Sequence, residues 1–530
     1  MNFYSEIISL ILADKIHSKE ELHKAKVKLC KKYNLDVIPP DSEILACLPD
    51  NISEDETESL VGVLRKKPMR TISGVAIVAV MTSPESCPHG LCLPCPGGPK
   101  SGTPQSYTGH EPAAQRAALN DFDPFLQTKN RLAQLRAIGH PINKIDLIIM
   151  GGTFTARNPF YQSWFVKRCF DALNDEGSSS LNEAKKKNET APSRCIGLTV
   201  ETRPDWFRLR HCDMSLSWGA TRLELGVQTV YDDILFEINR GHTVLDSIHA
   251  TRIAKNAGLK VCYHMMPGLP GSNIQKDVDS FLEIFENSDF KPDMIKIYPT
   301  LTIKGTGLYE LWKKEEYEPL STESAAKLVA DLKTYVPEWV RIQRIQRDVP
   351  SQFIDAGVDK SNLRQLVHKE LREHGLECRC IRCREIGHKS LKEKIEIKDE
   401  DIGIDTIFYE ASGSEEVFIS LVEEEYDALI GFLRLRDINE SHRTELDKDS
   451  CMIIRELRVV GRELPIGKKS KKEIQHKGFG KDLIDEAERI CNEEYDKKHL
   501  FVLSGLGVKQ YYRNLGFKNN GIYLYKKIAS

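Results

Sequence analysis

Six short apolar runs alternate with helix-length amphipathic stretches between residues 71 and 350. They are "VAIVAVM" (75–81), "IDLIIMGGT" (145–153), "IGLTVET" (196–202), "TRLELGVQT" (221–229), "LKVCYHMM" (259–266) and "MIKIYPTL" (294–301). Runs that stay apolar along their length predict strands buried on both faces of a parallel sheet. Their alternation with helices predicts a full or partial β/α barrel over 71–350. The polar insertion "NDEGSSSLNEAKKKNETAPSR" (174–194) breaks the pattern and is expected to be a surface loop. The segment 1–70 reads as helical: in "SKEELHKAKVKLCKKY", Leu22, Ala25, Leu29 and Tyr33 fall on one stripe. A charged, cysteine-bearing linker, 351–390, leads into 391–530, where strand patterns surround one clear helix at 481–494. The fold class is thus α/β plus α+β, with a helical N-terminal region.

Composition alters this picture little. Of 530 residues, 40% are hydrophobic and 29% charged, with a net charge of −3, so nucleic-acid contact has to come from a local patch. Two basic groups in 1–70 offer one: lysines 24, 26, 28, 31 and 32, and "RKKPMR" (65–70). Lys24, Lys28, Lys31, Lys66, Lys67 and Arg70 are the expected phosphate contacts, although a merely solvated lysine face is the plainer reading of the first group. The longest apolar run is far too short to span a bilayer, so no membrane partner and a cytoplasmic location are expected. There, 14 cysteines should be reduced, and their clusters should mean metal or catalysis.

Three clusters carry chemistry. Cys87-x4-Cys92-x2-Cys95 follows the first apolar run. A 4Fe–4S cluster needs one ligand per iron, so three thiolates leave one iron open. A zinc site completed by His89 is the alternative. The arrangement resembles radical S-adenosylmethionine enzymes, with one residue more in the first gap than their usual spacing. The other strand ends, where such barrels place their sites, carry Gly151, Gly152, Thr153, Glu201, Thr202, Arg203, Gln228 and His264. Cys378, Cys380 and Cys383 are close enough to favour zinc, with His374, His388 or Cys451 as open choices for a fourth ligand. Gln475-x2-Gly478-Phe479-Gly480 precedes the 481–494 helix, where glycines and a helix N-terminus suit a pyrophosphate. That loop resembles the acetyl-CoA loop of GNAT acetyltransferases. By that resemblance the strand containing Glu456, Leu457, Arg458 and Val459 would pair with the pantetheine arm, and Tyr511 and Tyr512 would lie near the CoA sulfur.

In combination, these clusters and the segments "RTISGVAIVAVMTSP", "IIMGGTF", "ETRPD", "LELGVQTVYDD", "NRGHTV", "GFGKDLIDEAERI" and "YYRNLGF" closely resemble the catalytic subunit of Elongator, in its archaeal-like form. The resemblance covers nearly the whole chain. It implies a radical-SAM partial β/α barrel joined through a zinc-binding linker to a GNAT domain. It implies a 4Fe–4S cluster, S-adenosylmethionine, acetyl-CoA and zinc as cofactors, and tRNA and an electron donor for the cluster as partners. Self-association is left open. The implied reaction is carboxymethylation of carbon 5 of the tRNA wobble uridine: a hydrogen is taken from the acetyl methyl group, the carbon adds to the uracil ring, and the thioester is hydrolysed. Lys144 matches a family lysine that contacts acetyl-CoA and joins Tyr511 and Tyr512 as a catalytic candidate. The family's usual R-E-L-H-V-Y-G reads Arg455-Glu456-Leu457-Arg458-Val459-Val460-Gly461 here, so histidine and tyrosine are replaced. The rival from another class is a protein lysine acetyltransferase with a structural iron–sulfur cluster. Glu456, the only acid in that strand, would be its base.

Overall fold

The computed structural model describes residues 2–49, 51–66, 71, 73–390, 401–461 and 478–528. Lys67, Arg70, Gln475 and the junction after residue 390 lie outside the described residues.

Four helices open the chain: α1 (Phe3–Leu12), α2 (Lys19–Lys32), α3 (Asp41–Ala46) and α4 (Glu54–Leu64). Ser18 and Glu21 cap α2 reciprocally, which sets its start. Leu22 and Leu29 join Phe3, Ile7, Ile44 and Leu60 in a separate small core. Lys26 does not belong to a solvated face: it is buried, 2.9 Å from Asp41. Burial alone would raise the Asp41 carboxyl, but Lys19 and Lys26 outweigh it and hold it below its ordinary range.

Seven parallel strands form the main sheet in chain order: β1 (Ala76–Met81), β2 (Lys144–Met150), β3 (Arg194–Thr202), β4 (Arg222–Gln228), β5 (Lys260–Met265), β6 (Met294–Ile297) and β7 (Arg341–Arg344). The sheet stays open, with β1 and β7 as its edges, so this is a partial barrel. All six apolar runs became strands. The seventh, "RIQR", carries no apolar run: Ile342 is buried, Arg341 and Gln343 are half-buried and Arg344 is exposed. The insertion 174–194 is not a plain loop: Leu181–Asn188 is a helix. Ser180 caps it, and Ala184 and Asn188 are buried under it. Its S-x-x-E start outweighs the polar composition.

The two faces of the barrel strands differ. Ala76, Val78, Val80, Ile145, Leu147 and Ile149 are fully buried in the core beneath the outer helices. On the inner face Ile77 is 48% exposed, and Ala79, Asp146 and Ile148 are only half-buried. The barrel is therefore hollow beside its first two strands.

A second sheet of seven strands follows: β8 (Ile402–Ala411), β9 (Ser414–Glu423), β10 (Ala428–Asp437), β11 (Cys451–Val459), β12 (His499–Val502), β13 (Lys518–Asn520) and β14 (Tyr523–Lys527), in the spatial order β13-β14-β12-β11-β10-β9-β8. Only β11 and β12 are parallel, and the helix Phe479–Glu493 lies between them in sequence. They pair over Cys451–Ile454 alone. Beyond Ile454, β11 pairs with β10 on one side and has no strand paired to its other edge among the described residues. The chain after β12 turns away onto β3. A Cβ at Gly505 would stand 2.1 Å from the Ile196 carbonyl, so only glycine permits that approach.

This second sheet packs beneath the barrel, at the N-terminal ends of its strands. Ile453, Phe501, Leu503 and Tyr523 belong to the same apolar core as the barrel. No helix among the described residues is long and apolar enough to cross a membrane.

Candidate active site

The loop after β1 places Cys87, Cys92 and Cys95 at the C-terminal rim, over a cavity of about 230 Å³. Gly152 and Thr153 after β2, Glu201 and Arg203 at the end of β3, and Gln228 at the end of β4 line the same cavity. Gly151 does not line it. Its role is the turn: φ is +126°, and a Cβ there would meet Thr82 Oγ1 at 2.1 Å. The sulfurs lie among polar groups. Thr153 Oγ1 is 3.5 Å from Cys87, Gln105 donates to Cys95 at 3.0 Å, His89 Nε2 is 3.0 Å from Cys92, and Arg240 lies 3.6 Å from Cys92. Burial pushes the Cys92 thiol up, against the pull of Arg240.

Geometry separates the two cysteine triads. Two ligands of one zinc, each about 2.3 Å from the ion, lie within about 4.6 Å of each other. Cys378, Cys380 and Cys383 fit, with all sulfurs within 4.8 Å. Cys87, Cys92 and Cys95 form no such group among the described residues. A spread of that kind suits ligands on separate irons and argues against a zinc site completed by His89.

Around the second triad, none of His374, His388 and Cys451 joins the group. Lys333 stands there instead, 3.1 Å from Cys378 and 3.5 Å from Cys383. Burial disfavours its ammonium, but the three sulfurs outweigh burial and hold its pKa above the ordinary value. The segment also ties the two sheets together: Arg384 pairs with Glu338 at 2.7 Å and with Asp427 at 2.8 Å.

Deeper in the barrel lies a polar group that sequence reading did not assign. Glu224 on β4 is completely buried, contacts Lys296 and lies 2.9 Å from His264 Nε2. Tyr107 donates to Glu201 at 2.9 Å. Desolvation disfavours the Lys296 ammonium, yet Glu224 outweighs it and holds its pKa above the ordinary range. Glu224 and Lys296 each lie within a strand apolar enough to mask them; the sequence signal was a charge inside a buried strand.

The foot of the barrel holds a second cavity of about 120 Å³, between barrel, linker and β11. Asp146, Arg341, Arg382, His388 and Arg458 line it, and so does Ile77, which also lines the upper cavity. Lys144 begins β2 at this lower end, away from the rim cysteines and towards the second sheet.

In the second sheet, Glu456 faces the barrel and pairs with Arg434 at 3.0 Å. Burial would raise its carboxyl, but Lys260 and Arg434 hold it below the ordinary range. It is an ion-pair partner, not a poised base. Gly478 caps the helix with φ +100°, and Gly480 leaves room for Tyr511, whose Oη would be 2.6 Å from a Cβ there. Phe479 begins that helix and packs on its core, with Leu457. Val459 approaches Gly480. Tyr511 is 39% exposed; burial of the remainder, with Asp482 and Asp485, pushes its phenol up to about 12, so it stays protonated. Tyr512 is buried against Phe517 in the core of this sheet, which leaves Tyr511 as the tyrosine open to a ligand.

Residues 83–283 match the radical SAM superfamily and 292–373 the radical SAM C-terminal domain. Fold, rim cysteines and this match define a radical SAM protein, a class that implies a 4Fe–4S cluster and S-adenosylmethionine. Residues 1–72 match the ELP3 N-terminal domain. The chain is 52% identical over 514 residues to tRNA uridine(34) acetyltransferase of Methanocaldococcus jannaschii, across 96% of this chain and 94% of that one. It is 41% identical over 517 residues to Elongator complex protein 3 of Homo sapiens, across 96% and 93%. The solved structure of Methanocaldococcus infernus Elp3 with N-terminus deletion (1-46) superposes with a TM-score of 0.77 at 48% identity, covering 86% of this chain and 100% of that one. The chain belongs to the Elongator complex protein 3 family, a family of acyltransferase-type enzymes acting in tRNA wobble modification.

Proposed function

We propose that this chain carboxymethylates carbon 5 of the wobble uridine of tRNA, in the cytoplasm, with acetyl-CoA as donor. The reading rests on the family and on one geometric relation: the rim cavity with three cysteines and the open edge of β11 lie at opposite ends of one hollow barrel. Cys87, Cys92 and Cys95 would hold the 4Fe–4S cluster, and Cys378, Cys380 and Cys383 would hold zinc. The cluster with S-adenosylmethionine supplies, when bound, a carbon radical able to take hydrogen from an unactivated methyl group.

The chain's own residues do the rest. The missing side chain of Gly152 leaves room beside Cys87, and Thr153 Oγ1 stands 3.5 Å from its sulfur. Glu201, Arg203 and Gln228 offer donors and acceptors at the rim for S-adenosylmethionine. The second sheet acts as a GNAT-like holder for acetyl-CoA. The open backbone of Glu456, Leu457, Arg458 and Val459 is free to pair with the pantetheine amides, and the helix start at Gly478, Phe479 and Gly480 receives the pyrophosphate. Protonated Tyr511 donates to the CoA sulfur, and Lys144 adds a positive charge between the sheets. Lys28 and Lys31 meet tRNA phosphate.

The test uses anaerobically reconstituted protein with reductant, S-adenosylmethionine, tRNA and acetyl-CoA deuterated on the methyl group. Deuterium should appear in 5′-deoxyadenosine, and a CD2 carboxylate should appear on uridine. Modified tRNA with unlabelled 5′-deoxyadenosine would sink the methyl-abstraction reading.

A further inference from the structure

The two halves of the proposed reaction stand at opposite ends of the barrel. A donor held along β11 lies beneath its floor, and the rim cysteines lie above. From Ile77 to Met81, β1 rises four residues, or about 13 Å at about 3.3 Å per residue. A hydrogen atom is not abstracted across such a gap, so one reactant has to travel.

The barrel interior is built for that. Parallel barrel strands ordinarily bury both faces, and their interior is filled by side chains in layers. Here Ile77, pointing inward, is 48% exposed, and Ala79 and Ile148 beside it are half-buried. An apolar side chain left uncovered inside a fold forgoes about 25 cal/mol per Å² of burial, so its exposure needs a reason. Ile77 lines both the upper and the lower cavity, which makes it the wall they share. Beside and across from Ile77 the lining is polar. Asp146 neighbours it on β2 and lies 3.2 Å from Arg222, whose Nε is 3.4 Å from Glu224 Oε1. The lower mouth carries Arg458, for which no hydrogen bond or ion pair is formed among the described residues. A passage with one apolar and one hydrogen-bonding wall matches a pantetheine arm, whose methylenes alternate with amides and end in a thioester. Such an arm, comparable to about four extended residues, reaches about 14 Å.

We infer that the acetyl-bearing pantetheine arm enters the barrel through its floor and passes Ile77 to reach the rim site, with Arg458 receiving its carbonyl oxygens at the mouth. This rests on acetyl-CoA being the donor.

Two experiments test it. In an Ile77→Cys variant without cluster, acetyl-CoA should protect the introduced thiol from iodoacetamide at least tenfold, read by mass spectrometry of that peptide. Adenosine 3′,5′-bisphosphate, which lacks the arm, should not protect it. Equal protection by both, or none by acetyl-CoA, overturns the passage. In reconstituted protein, Ile77→Trp should lose deuterium transfer from acetyl-CoA to 5′-deoxyadenosine at least tenfold, while still binding S-adenosylmethionine; Ile77→Ala should retain transfer. Transfer by Ile77→Trp at the wild-type rate places the route outside the barrel and overturns the inference. Absence of transfer in the wild type defeats the donor reading itself, a result the protection experiment keeps separate.

Discussion

Arg455 on β11 and Asp293 at the foot of β6 form an ion pair at 2.9 Å, both fully buried between the two sheets. Arg455 also reaches Glu416 at 2.7 Å, and Lys255 lies 3.2 Å from Glu416 and 3.8 Å from Asp293. Arg436 joins through Glu416 at 2.9 Å and through Asn256 at 3.1 Å. Charges so deeply desolvated tolerate few geometries, because each needs every partner in place. The network therefore fixes how the second sheet faces the barrel floor.

Removing one member should strand the others. Arg455→Met should destabilise the protein by about 3–5 kcal/mol. Chemical denaturation followed by tryptophan fluorescence measures it. A loss under about 1 kcal/mol, typical of surface pairs, would show that the network does not hold the sheets together.

The same network sets an acid limit. Burial would raise the Glu416 carboxyl, but Arg455 and Lys255 outweigh it and hold it down to about 2. An unfolded glutamate titrates near about 4.3. Glu416 therefore contributes stability above the unfolded value and loses it as pH falls towards its folded value. Between about pH 5 and about pH 3, wild type should lose more stability than Glu416→Gln, which should be the weaker protein at neutral pH. Parallel stability curves would count against this.

The two triads should separate by metal. After anaerobic reconstitution, replacing Cys87, Cys92 and Cys95 with alanine should abolish the bound irons, about four per chain, and leave zinc unchanged. Serine at Cys378, Cys380 and Cys383 should do the reverse and lower the unfolding midpoint. Iron and zinc analysis of both variants decides, and zinc in the rim site of wild type would refute the radical assignment.

In the helical N-terminal region, Lys24 already pairs with Glu20 and Lys32 with Glu6, whereas Lys28 and Lys31 are exposed without an ion-pair partner among the described residues. Neutralising Lys28 and Lys31 together should weaken tRNA binding and reduce the slope of log K against log salt by about 1.4–1.8. An unchanged slope moves the phosphate contacts elsewhere.

Much of this protein was legible in one dimension. Six strands announced themselves because a strand buried on at least one face under helices has to be apolar, and Cys378, Cys380 and Cys383 come within one ion's reach because residues so close in sequence need little help from the fold. The rim positions Gly152, Thr153, Glu201, Arg203 and Gln228 followed from a topological rule: parallel barrels gather their strand ends. Tertiary structure alone decided the rest. Lys26 is buried because Asp41 packs beside it, and the insertion forms a helix, Leu181–Asn188, that buries Ala184 and Asn188. Glu456 became an ion-pair partner because Arg434 stands opposite it on β10. That Cys378, Cys380 and Cys383 cluster within 4.8 Å, and that Cys87, Cys92 and Cys95 form no such group among the described residues, is a matter of distances between sulfurs and not of spacings between residues. Nor does a sequence reveal empty space. Ile77 reads like any strand isoleucine, and its exposure inside the barrel arises only because the side chains opposite, from strands over a hundred residues away, leave the interior unfilled.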